Sequence, residues 1–288
     1  MIRGSGTLRS GIASDGSRAP ECAMSTLPAS LLVPDSRLVA EVRPSPNHEP
    51  RVGGIRPDIL LLHYTGMEST AEALDRLCDP AAKVSCHYLV REDGTVVQMV
   101  AEDRRAWHAG LSCWAGDADV NSRSIGIEIA NPGHDFGSPP FPPVQIESVI
   151  ALCLDIIARH AIRADRVLAH SDVAPARKRD PGEVFPWDVL ARAGVGTWVA
   201  PPAPAPDPTR LEPGDTGDRV AMLQSMLADY GYAVPRQGVY DDATTLVVTA
   251  FQRHFRASRV DGRADAATVA ILRRMLGIRH SIVEKPIG

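Results

Sequence analysis

The chain has no CxxC pair, no apolar run near its start long enough for an export signal, and no excess of positive charge. Each absence removes a class of protein. The five cysteines, Cys22, Cys78, Cys86, Cys113 and Cys153, are odd in number and scattered. That excludes a disulfide framework or a cysteine-rich zinc site and predicts reduced thiols. The longest apolar stretch near the start, Leu27 to Pro34, is short and lacks a basic flank and a small-residue cleavage site. Arg-Ala-Pro-Glu before Cys22 is not a lipid-anchor signal. A cytoplasmic location is the default expectation, and a periplasmic or wall-associated one applies if translation starts elsewhere. The net charge of -4 argues against nucleic acid and anionic membrane as partners, so a polymer would have to be gripped locally. No transmembrane segment is expected.

What is present suits a globular protein of about two domains: 288 residues, 44% hydrophobic and 23% charged. Residues 1–40 read as a disordered leader, rich in Gly, Ser and Arg up to Ala23. Ala200 to Pro208, "APPAPAPDP", reads as a semi-rigid spacer. It divides a domain over 41–199 from one over 209–280, with a tail at 281–288.

In the longer part, strand and helix patterns alternate. "DILLLHY" (Asp58–Tyr64) is a short continuous apolar run expected of a buried strand, and "STAEALDRLC" has helical spacing. "SCHYLV" and "TVVQMV" form a hairpin through Glu92-Asp93-Gly94. "SIGIEIA" alternates, placing Ile125, Ile127 and Ile129 on one face and Gly126, Glu128 and Ala130 on the other. A long amphipathic helix ends at His160, and "DRVLAH" is a strand ending at His170. This order predicts an α/β domain, a mixed central sheet flanked by helices. After the spacer come three helical patterns, Asp218–Tyr230, Asp242–Phe255 and Asp265–Leu276, for a small all-α three-helix domain. Its "GVYDDATT" and "GRADAATV" form a weak internal repeat in which Asp241 and Asp265 are N-caps. The domain has no reactive cluster and reads as a binding module.

Two histidines, His63 and His170, stand where strands run out, and "HSDVAPARKRDPG" carries Asp180 on the loop after the second. The basic run Arg177-Lys178-Arg179 taken alone is a solvated loop. Taken with the histidines, the loop belongs to a three-ligand zinc site of His, His and carboxylate composition.

The motifs "HYTGM", "SCHYLVREDGTVVQMV", "AWHAG", "NSRSIGIEIAN" and "HSDVAPARKRDPG", in this order, resemble the AmpD-like zinc-dependent N-acetylmuramoyl-L-alanine amidases of the amidase_2 family. The resemblance covers most of residues 45–187. It implies the fold shared with peptidoglycan recognition proteins, Zn2+ held by His63, His170 and Asp180, and Glu128 and Lys178 as catalytic residues. The C-terminal part, with "GDTGDRVAMLQSMLADYGY", "GVYDDATT", "AFQRHF" and "VDGRADAAT", resembles the type 1 peptidoglycan-binding domain. Together they imply hydrolysis of the amide between the muramoyl or anhydro-muramoyl lactyl group and L-alanine, with peptidoglycan or muropeptide fragments as partners. Alternatives are a non-catalytic peptidoglycan-binding protein and a zinc peptidase cutting within the stem peptide.

In this chemistry the metal activates water, Glu128 shuttles its proton to the leaving amine, and Lys178 stabilises the oxyanion. Glu128 paired with Arg123 is the duller reading. His108 and Trp107 are expected on the substrate side, as are His87 and Asn47, for which a packed core histidine and a turn asparagine are equal readings. His134, His160, His254 and His280 are expected at the surface. A monomer is expected. A tethered module would assist on polymer and not on soluble fragments.

Overall fold

The computed structural model describes residues 32–203 and 210–284. Most of the expected leader, six residues in and just after the spacer, and the last four residues lie outside these. Packing begins before residue 40, where the leader was expected to end. The Asp35 amide donates to Gln98 at 2.8 Å, its carboxylate accepts from the Glu102 amide at 3.0 Å, and Ser36 is buried.

Eight strands form among the described residues: β1 (Glu41–Val42), β2 (His48–Pro50), β3 (Ile59–Tyr64), β4 (Tyr88–Val90), β5 (Val96–Gln98), β6 (Arg104–Ala106), β7 (Ser124–Ile129) and β8 (Val167–Ala169). Six make one sheet in the order β1-β5-β4-β7-β3-β8, and β2 pairs with β6 apart from it. Only the β4–β5 hairpin is antiparallel within the large sheet. The mixed sheet expected from the sequence is therefore present. The helices of this half are α1 (Thr70–Cys78), α2 (Val120–Arg123), α3 (Pro143–His160), α4 (His170–Val173) and α5 (Trp187–Arg192). The four described cysteines are free thiols.

The period-2 alternation sorts side chains onto two covered faces. Leu60, Leu62, Ile125, Ile127 and Ile129 pack with Val149, Leu152 and Ile156 of α3. On the opposite face, Ile59, Leu61 and Leu168 join a core that continues into the C-terminal helices α6 (Asp218–Tyr230), α7 (Asp242–Phe255) and α8 (Ala266–Glu284) through Tyr230, Tyr232, Phe251 and Phe255. The helical module is thus not a separate body on a spacer. Trp114 sits edge-on to Tyr232 at 5.0 Å, and Gly231, at φ +134°, leaves room for it: a Cβ there would come within 2.6 Å of the indole. The last helix runs to Glu284, past the expected end at Leu276 and into the expected tail.

The internal repeat is visible in hydrogen bonds. Asp241 caps α7 by accepting from the Thr244 amide at 2.8 Å, and Asp265 accepts from the Thr268 amide at 3.0 Å. Two glutamines complete the pattern: Gln224 accepts from the Gly238 amide and Gln252 from the Gly262 amide. No helix of the described residues is long and apolar enough to cross a membrane.

Candidate metal centre and catalytic cavity

The parallel pairing of β3 with β8 ends at Leu62 opposite Ala169, so the next residues, His63 and His170, emerge side by side. His170 is the first residue of α4 and not the last of its strand. Their Nδ1 atoms lie 2.9 Å apart, and Asp180 Oδ2 is 3.2 Å from that of His63 and 2.9 Å from that of His170. All three residues are buried.

Hydrogen bonding fixes the outer ring nitrogens, those turned away from the triad. His170 Nε2 faces the Ala109 carbonyl at 3.1 Å, an acceptor only, so this nitrogen carries a proton and Nδ1 is the one turned toward Asp180. The Ser124 hydroxyl donates to the Val120 carbonyl at 2.6 Å and accepts from His108 Nε2 at 3.2 Å. His108 Nδ1 must then accept from His63 Nε2, 3.0 Å away, and again Nδ1 of His63 is the one turned toward Asp180. Burial, and next the neighbouring His170, lower the His63 pKa to about 4, and burial with His63 beside it puts His108 well below the ordinary range. The two imidazole Nδ1 atoms and a carboxylate oxygen, all within 4.8 Å of one another, thus converge on one point. Such a donor set suits a divalent cation of the zinc type, with the outer ring nitrogens already oriented.

Glu128 lies opposite His63 in the β3–β7 register and faces a cavity of about 360 Å³, lined also by Tyr64, Trp107, His170, Lys178 and Asp180. Its Oε2 is inaccessible and has no hydrogen-bond partner. Burial, then the Asp180 charge, push its carboxyl well above the ordinary range, with Lys178 opposing. The duller reading fails, because Arg123 is spent on Asp58 and Asp117.

The basic run divides into three jobs. Arg177 donates to the carbonyls of Ala109 and Leu111, which fixes the loop that orients His170. Arg179 pairs with Asp135 at the rim. Lys178 faces the cavity, and no hydrogen bond or ion pair engages its ammonium among the described residues.

The four expected substrate residues divide too. Trp107 lines the cavity, its indole N–H held by Glu49 at 3.1 Å. His108 borders the cavity, yet both its nitrogens are engaged, so it acts on His63. His87 is wholly buried, accepting from the Gly126 amide and lying 3.0 Å from the Arg104 carbonyl; it does not reach the cavity. Asn47 is buried, and its amide donates to the Asp79 and Val84 carbonyls at 2.8 Å each. The last two are scaffold because their polar atoms are committed to backbone. Of the supposed surface histidines, His134 joins Tyr64 to Glu183, His160 pairs with Glu102, and His254 is buried.

Sequence reasoning missed Gly126. Its backbone is not left-handed; a Cβ there would lie 2.5 Å from His108 Nδ1, so glycine admits the ring that orients His63. Gly126→Ala should displace His108 and weaken metal binding by roughly 10- to 100-fold, read by competition with a chromophoric chelator.

Fold and site together define a hydrolase of the mixed α/β class with a candidate metal centre at the strand ends. The N-acetylmuramoyl-L-alanine amidase family model matches residues 53–183, and the peptidoglycan binding domain model matches residues 216–272. The chain is 39% identical to the N-acetylmuramoyl-L-alanine amidase AmiD of Escherichia coli over 240 residues, 77% of this chain and 83% of that protein. It is 37% identical over 161 residues, 50% of this chain and 84% of that protein, to the 1,6-anhydro-N-acetylmuramyl-L-alanine amidase AmpD of Enterobacter cloacae. Among solved structures, E. coli AmiD in complex with anhydro-N-acetylmuramic acid-L-Ala-D-gamma-Glu-L-Lys superposes with TM-score 0.66 at 37% identity, covering 80% of this chain and 92% of that one. AmpDh3 of Pseudomonas aeruginosa follows at 0.64 and 31%, covering 79% and 94%. The chain belongs to the N-acetylmuramoyl-L-alanine amidase family and is an amidase.

Proposed function

We propose that this amidase is zinc-dependent and cuts the amide between the lactyl group of muramic or anhydro-muramic acid and L-alanine of the stem peptide. The observation that carries the reading is Glu128, lining the cavity with a carboxylate oxygen that has no hydrogen-bond partner, beside the converging His63, His170 and Asp180 donor set. The AmiD complex with an anhydro-muramoyl peptide supports the substrate class.

Zinc, when bound by these three residues, would supply positive charge that makes water acidic and polarises the scissile carbonyl. The rest falls to the chain. Glu128 accepts the proton that water gives up as its oxygen bonds to the carbonyl carbon, then delivers it to the alanine nitrogen as the C–N bond breaks. Lys178 holds the negative charge that develops on the carbonyl oxygen. Trp107 offers an apolar wall to sugar or peptide, and Arg76 at the rim offers charge to a stem-peptide carboxylate. Lys178→Met should lower kcat on a soluble muropeptide by roughly 10²- to 10³-fold, about 3–4 kcal/mol of barrier, with zinc content unchanged by metal analysis.

The helical domain, over about residues 210–284, would grip peptidoglycan. A groove of about 540 Å³ between Met222, Met226 and Val269, edged by Arg219 and Arg273, supports that. Mass spectrometry of products from anhydro-muropeptide and intact sacculi, with zinc or with chelator, tests the whole reading. Free stem peptide beginning with L-alanine, absent with chelator, is expected; cleavage inside the stem would make it a peptidase.

A further inference from the structure

The helical domain also touches the metal-binding loop. Asp172, two residues after His170, is 1% exposed and carries a carboxylate with partners from both halves of the chain. Its Oδ2 accepts from the Ala169 amide at 2.8 Å, capping the short helix that begins at His170. The other two partners come from the helical domain. The Tyr232 hydroxyl donates to Oδ1 at 2.6 Å, and His254 Nδ1 meets Oδ2 at 2.7 Å. His254 is held flat, with Trp187 of α5 at 3.7 Å on one side and Phe255 at 3.8 Å on the other. Asp180 is tied to the same unit, since the Ser171 amide donates to its carbonyl at 3.0 Å.

We propose that Tyr232 and His254 are positioning residues for the metal centre: the helical domain holds His170 and Asp180 in register by clamping Asp172. A carboxylate buried this deeply needs every hydrogen bond it has. With either helical partner gone, Asp172 swings toward water or another donor, and the turn carrying His170 goes with it. The domain taken as a polymer grip therefore works on soluble substrate as well. This rests on the metal-site reading above.

The test uses the full chain. Zinc affinity is measured by chelator competition, and amide exchange over residues 169–174 is measured in metal-free protein. Tyr232→Phe and His254→Leu should each weaken zinc binding at least 10-fold, speed that exchange, and lower kcat more than KM on a soluble muropeptide. His254→Gln, which keeps a donor, should recover most of the loss. Arg279→Ala is the control: Arg279 donates to the Tyr230 carbonyl at the same junction, away from Asp172, so only the melting temperature should fall. Wild-type zinc affinity and exchange in both Tyr232→Phe and His254→Leu would overturn the clamp. A wild-type chain that binds no zinc would instead sink the metal reading, and the exchange comparison would still decide the clamp.

Discussion

Glu128→Ala should lose about 10³-fold or more in kcat on a soluble muropeptide while its zinc content and melting temperature stay near wild type. Proton shuttling by a placed carboxylate contributes roughly 10²- to 10⁴-fold, and nothing else on this cavity wall stands ready to replace it. Glu128 is the acid left unpartnered opposite His63, Asp180 being engaged with the histidines. Stability should hold, or rise slightly, because the folded protein holds Glu128 with its pKa raised, chiefly by burial. The sign follows: ionising such a carboxyl costs folded stability once pH rises above its unfolded value of 4.5, and alanine removes that cost. For activity, the acid limb of kcat/KM reports ionisation of Glu128, so it should lie above the ordinary carboxylate range. A cation on the triad would offset the Asp180 charge but leave the burial contribution. Glu128→Ala with activity within tenfold of wild type would move the proton transfer to another group.

Removal of residues 210–288 should leave a chain that does not fold cooperatively. Ile59, Leu61 and Leu168 of the sheet and Trp114 pack in the same core as Tyr232, Phe251 and Phe255. Re-exposing four such side chains costs on the order of 1.5–3 kcal/mol each. The sum rivals the roughly 5–15 kcal/mol that holds a whole domain together. Circular dichroism and thermal unfolding of the truncated chain check this directly. A spacer-tethered module predicts the contrary result: a stable catalytic half with undiminished activity on soluble fragments and a raised KM on sacculi alone. That outcome would show the shared core to be dispensable.

Much of the fold was legible because β-strand and helix periodicities are local. The "IGIEI" alternation put the isoleucines on one face and Glu128 on the other, and in the structure the isoleucines pack with α3 while Glu128 lines the cavity. His63 and His170 were recognisable because each stands where an apolar run ends, and parallel neighbours deliver equivalent positions to one edge. For His87 a substrate role and a packed core position are equal readings of the motif, and for Asn47 a substrate role and a turn; whether a polar side chain faces a cavity or a carbonyl depends on partners that the motif does not contain. Arg177 looked like part of a charge run, yet it pins the loop whose Ala109 carbonyl orients His170. Gly126 showed no turn signal, because its requirement comes from a ring that packs onto it from another segment.

The sequence by itself determined the elements, the two faces of the sheet, the donor residues and the repeat of helix caps, since each is set within a few residues by pattern and chemistry. The tertiary structure alone decided the orientation of the histidine rings, the freedom of Glu128, and the union of the two halves around Asp172. His254 lies 82 residues from Asp172 and Tyr232 lies 60. Contacts across such separations leave no local periodicity, because burial and hydrogen bonding select them only once the two faces have met.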